Sequence, residues 1–77
     1  MSAPGHVESL RARATSLRAQ ADLAAKEHVR IARSMLGAEG AEHTALELEA
    51  GVADCMSRRY QLWAARLDEA AYELENP

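Results

Sequence analysis

Phenylalanine is absent from this 77-residue chain, and cysteine, tryptophan and tyrosine together supply only four residues. Each shortage excludes something. A single cysteine, Cys55, rules out an internal disulfide framework, and no Cys/His set has the spacing of a structural zinc site. The two prolines, Pro4 and Pro77, stand near the ends, so nothing breaks a helix in between. Glycine is confined to Gly5, Gly37, Gly40 and Gly51, too few for the many turns of a β-sandwich or barrel. No run approaches the roughly 20 apolar residues of a membrane-spanning helix. The segment Met1-Ser2-Ala3-Pro4-Gly5 has neither the basic nor the apolar region of a signal peptide. The expected location is therefore cytoplasmic, or exported by a route that needs no classical signal.

What remains is a helix-forming sequence with a strong period. Val7, Leu10, Ala14, Leu17, Ala21, Ala24, His28, Ile31 and Met35 recur at alternating spacings of three and four. Leu46, Glu49, Ala53, Met56, Tyr60, Trp63, Leu67, Ala70 and Leu74 do the same. Each set lies along one side of a helix, the pattern of a coiled-coil seam. Gly37-Ala38-Glu39-Gly40 separates them. The expectation is an all-α single domain: helix 4–36, turn 37–40 and helix 41–75, folded as an antiparallel two-helix hairpin. A turn centred between Ala38 and Glu39 pairs Ile31 with Leu46, His28 with Glu49, Ala24 with Ala53 and Ala21 with Met56. It also pairs Leu17 with Tyr60, Ala14 with Trp63, Leu10 with Leu67 and Val7 with Ala70.

The ends of the helices carry their own signals. Pro4 suits a first turn, where its missing N–H is no loss. Gly37 fits a left-handed C-cap, and Arg33 in the last turn complements the helix dipole. Glu39 and Glu42 suit the start of the second helix, although Thr44 with Glu47 also forms a capping-box pattern four residues later. The earlier start keeps the turn short. Gly51 falls in mid-helix at an outer position, where glycine costs about 1 kcal/mol relative to alanine. A neighbouring helix approaching closely is one reading; simple tolerance is the other.

Charge is divided unevenly. Residues 1–37 carry six Lys/Arg against three Asp/Glu, and residues 38–77 carry three against nine. The division favours pairing of the two helices. As a phosphate-binding stripe, Arg11, Arg13, Arg18, Lys26, Arg30 and Arg33 lack interleaved aromatics and would lie beside an acidic helix, so no nucleic-acid partner is expected.

His28 and Glu49 are the only strongly polar residues in the eight layers, and they share one. A hydrogen-bonded pair that fixes register is the first reading. A metal site is the alternative, since a dimer would bring two of each into a four-helix bundle, though without the Glu-x-x-His repeat of di-iron bundles. Glu39, His43 and Glu47, four apart, are a weaker cation candidate. No cofactor is expected and no catalytic group stands out. There is no Gly-rich phosphate loop, no nucleophile–base grouping, and two thin helices enclose little.

The apolar residues exceed what one seam needs. Val29 and Leu36 widen the stripe on helix one; Leu48, Val52, Cys55 and Leu62 widen it on helix two. Tyr60 and Trp63 face residues too small to cover them. A further surface to bury is implied, with Cys55 expected as a buried thiol or, in the minority reading, an inter-chain disulfide. These eight residues are the expected interface of a homodimer, two hairpins forming a four-helix bundle, or of a contact with another helical protein. The function expected is non-enzymatic, that of a small adaptor or regulator.

A signal-less, alanine-rich hairpin that opens on VESLRARATSLRAQAD and closes on LDEAAYELEN resembles the WXG100/ESX-type proteins of type VII secretion. That resemblance implies a helical hairpin acting as a secreted partner protein. Two of the family's marks differ. The turn, Leu36-Gly37-Ala38-Glu39-Gly40, has no Trp-x-Gly, and Tyr72 is followed four residues on by Asn76 where the export signal has an acidic residue.

Overall fold

A computed structural model describes residues 3–77, with side chains from Gly5 onward. The leader reading of Met1 and Ser2 thus lies outside the described residues. Helix α1 runs Ala3–Ser34, a 3₁₀ turn covers Met35–Gly37, and helix α2 runs Gly40–Glu75. The helices pack side by side, antiparallel, in an envelope of 59 × 14 × 13 Å. Among the described residues there is no strand, and no helix is long and apolar enough to cross a membrane. The all-α hairpin is as its periodicity requires.

The turn differs in detail from its expected form. Gly37 is not a left-handed cap. The end of α1 tightens into the 3₁₀ turn instead, and the Ala38 N–H donates to the Met35 carbonyl at 3.1 Å. Tightening satisfies a carbonyl that the helix end leaves free. The left-handed residue is Gly40, with φ of 59°, where the chain swings into α2. Glycine takes that conformation without the steric penalty other residues meet. Glu39 precedes it in extended conformation and makes no side-chain cap. Thr44 lies inside the helix, its hydroxyl donating to the Gly40 carbonyl at 3.2 Å, so the later capping box is not used. At the far end the Asn76 N–H and side-chain amide both donate to the Tyr72 carbonyl, at 2.9 and 3.1 Å, which closes α2.

The seam on α1 follows the expected series. Val7, Ala14, Ala21 and Ile31 are buried; Leu10, Leu17, Ala24, His28 and Met35 are half-buried. On α2 the series is shifted. Leu46, Ala53, Met56, Tyr60, Leu67 and Ala70 are half-buried, Glu49, Trp63 and Leu74 are exposed, and the buried residues are Ala50, Ser57, Ala64 and Ala71. Those four lie one residue beyond Glu49, Met56, Trp63 and Ala70 and take the innermost positions at the contact. The reason is size. The distance between two helix axes depends on the side chains between them, and alanine or serine every seven residues permits a close approach. The approach is close enough for the buried Ser57 hydroxyl to donate to the Ala21 backbone carbonyl across the seam at 3.0 Å. Ser57 rather than Met56 is therefore opposite Ala21, and Trp63 is displaced outward to 44% exposure.

Gly51 has open space around it: a Cβ built there meets nothing within 4 Å. Within the hairpin, no close helix approach requires this glycine.

Candidate functional site

The two edges of the seam have opposite character. Along one edge lie residues four past the buried positions of each helix. Here Arg11 pairs with Glu75 and Arg18 with Asp68, two bridges seven residues apart on both helices. They realise the charge division between the halves of the chain. All four side chains are well hydrated, so each bridge is worth a few tenths of a kcal/mol up to about 1 kcal/mol.

Along the other edge lie residues one before the buried positions, and no interhelix ion pair closes it among the described residues. Towards the turn this edge opens into a groove of about 730 Å³. Leu23, Ala24 and Ile31 of α1 and Leu48, Val52, Ala53, Met56 and Tyr60 of α2 form its apolar surface; Gln20, Glu27 and Glu49 lie on its rim. Leu23 is 61% exposed, Leu48 67% and Val52 64%, although each belongs to this concave surface. Seven-residue spacing carries the same face along the hairpin. Trp63 follows Met56 and Leu67 follows Tyr60, while Leu17 and Leu10 precede Ala24. The Trp63 ring meets Tyr60 edge-on, with centroids 5.8 Å apart and planes at 75°.

The large side chains of the seam therefore lie towards this edge, half covered, while the fully buried positions hold only small residues. Among the described residues no large side chain is completely sealed from solvent, although Val7 and Ile31 come close. The hairpin is closed on one edge and open on the other.

The eight expected interface residues divide accordingly. Leu48, Val52 and Tyr60 line the groove, and Trp63 continues it. Cys55 and Leu62 belong instead to a shallow depression on the shoulder of α2, beside Asp54, Arg58 and Arg59. Cys55 is an exposed free thiol rather than a buried one. Val29 is exposed on the far side of α1, and Leu36 is exposed in the 3₁₀ turn. Leu23 and Met56 also line the groove and are not among those eight. Leu23 stands outside the periodic series of helix one, and Met56 belongs by its spacing to the seam series.

His28 and Glu49 do not form a layer. His28 is half-buried in the seam and Glu49 is exposed on the groove rim, because α2 buries Ala50 in its place. No hydrogen bond or ion pair joins them. Glu49 instead adds a small field to Arg30, whose dominant partner is Glu27. The Nε of Arg30 donates to Glu27 at 3.0 Å, which raises the guanidinium's pKa and lowers that of the Glu27 carboxyl. That support is present above the usual carboxylate range and is lost as pH falls through the lowered Glu27 value. Both groups are fully hydrated and the contribution is minor. Among the described residues no three His, Cys, Asp or Glu side chains are grouped to hold a metal ion, Glu39, His43 and Glu47 included.

Comparison with protein-family models, with curated proteins and with solved structures finds no match for this chain. The surface itself carries the functional argument.

Proposed function

We propose that this protein is a non-enzymatic helical-hairpin module that works through protein–protein contact and self-associates through its open edge. One observation carries the reading: Leu23, Leu48, Val52, Met56, Tyr60 and Trp63 share an edge that the hairpin leaves uncovered, while alanines make up most of its buried interior. A contiguous apolar face on a soluble chain marks an interaction surface. Tyr, Trp and Met, all present here, are the residues enriched at the centres of such surfaces. The thinness of the hairpin supports the same reading. Chains of this size bury only about 60% of their unfolded surface, and a core of alanines leaves little margin without a partner.

In a self-associated form the edge supplies the second layer of a four-helix bundle, and the outer faces remain free for other contacts, as suits a small adaptor or regulator. Sedimentation equilibrium at micromolar concentration tests the reading, with a dimer or larger species expected. A stable, fully helical monomer near 8.4 kDa would contradict it.

A further inference from the structure

We propose that the occupant of the groove is a second copy of this chain, docked antiparallel about a two-fold axis at the level of Ala24 and Asp54. This rests on the self-association reading and adds to it an orientation, a register and the residues that set them.

The charges on the open edge are distributed in two blocks along α2. Glu49 lies on the groove rim, and Glu42, one heptad before it, continues that rim towards the turn. Arg59, which also borders the depression on the shoulder of α2, and Arg66 follow Val52 at steps of seven and so extend its row away from the turn. These four side chains belong to no ion pair among the described residues. With α2 laid on α2, parallel docking would set Glu on Glu and Arg on Arg. Antiparallel docking sets each acidic position on a basic one.

The register then follows from spacing. Glu49 and Arg59 lie five residues either side of residue 54, and Glu42 and Arg66 lie twelve either side. One two-fold axis therefore satisfies both pairs, and isologous symmetry makes each occur twice. The apolar positions obey the same centre. Met56 falls opposite Val52 of the second copy, Tyr60 opposite Leu48, and Trp63 opposite Ala45, a ring over a small residue.

On α1 the level of residue 54 is Ala24, because the Ser57–Ala21 bond places those two residues opposite each other. About Ala24, Leu17 and Ile31 lie seven residues either side and face one another. Ala24 itself, small and half-buried, sits on the axis. Four-fold agreement of charge, aromatic, aliphatic and small positions about one centre is what a self-complementary surface requires.

The area is also sufficient. The overlap about this axis spans the hairpin from the turn to residue 68, roughly 43 Å of helix. Across a width of 14 Å, that is a flat footprint on the order of 600 Å² before side-chain relief, near the ~800 Å² per partner of a standard stable interface.

Charge exchange tests it. One variant carries Arg59→Glu and Arg66→Glu; a second carries Glu42→Lys and Glu49→Lys. All four positions are exposed, so each variant alone should keep its helicity by circular dichroism. Each should lose self-association, on the order of 100-fold at low salt, because four attractive pairs per dimer become repulsive. Mixing the two in equal amounts should restore a dimer in sedimentation equilibrium, since every facing pair is then opposite in sign. If either variant alone associates as tightly as the parent, the charges do not face each other and the docking mode is wrong, although self-association stands. If the mixture stays monomeric, complementarity fails and the register is again overturned. A monomeric parent would remove both this proposal and the self-association reading.

Discussion

Among the described residues Ser57 is the only polar one that is buried, and its hydroxyl reaches the opposite backbone. Two substitutions there separate its roles. Ser57→Ala keeps the small volume and leaves no donor unsatisfied, so it should cost about 1 kcal/mol, the net worth of one hydrogen bond. Ser57→Leu should cost about 1–3 kcal/mol or more, because added methylenes force apart helices that small residues hold together. Urea denaturation at one fixed protein concentration measures both. Equal effects would show that the contact does not depend on size. Gly51 offers the opposite case. With open space at its Cβ, Gly51→Ala should stabilise the fold by about 1 kcal/mol. In a domain of this length that raises the melting temperature by about 4–8 °C, readable in a thermal melt. A lower melting temperature would mean that a partner occupies the space.

At the scale of the helices, the sequence made the hairpin, its length and the seam of α1 legible, because one clear series of apolar residues defines each. The seam of α2 was only half legible. Two series, each repeating every seven residues, run side by side there: Glu49, Met56, Trp63 and Ala70, and Ala50, Ser57, Ala64 and Ala71. Hydrophobicity favours the first, whereas close packing favours the second. Judging by hydrophobicity put His28 and Glu49 in one layer and Trp63 in the core. The structure has Glu49 on the rim and Trp63 on the open edge. The groove was legible in the same measure. Leu48, Val52, Tyr60 and Trp63 belong to one face, but Val29, Leu36, Cys55 and Leu62 are apolar residues on other faces, which composition alone does not distinguish. The turn was similarly split. Gly37 and Gly40 are three residues apart with nothing in the sequence to choose between them, and the positive φ falls at Gly40 once α1 ends in a 3₁₀ turn.

For the molecule as a whole, the asymmetry between its edges is the central feature. Ion pairs join the helices on one side, and on the other a groove runs between large, half-covered side chains. The account holds that association uses the groove and not apolar exposure in general. Val52 and Val29 permit a direct comparison, since both are exposed valines in mid-helix, one on the groove and one on the far side of α1. Sedimentation equilibrium of Val52→Glu and Val29→Glu beside the parent is the most direct measurement. The account predicts a dimeric parent, a dimeric Val29→Glu and a monomeric Val52→Glu, because only the second charge is desolvated without a partner. A Val52→Glu protein that stays as associated as the parent, or a Val29→Glu protein that dissociates in its place, would contradict the account.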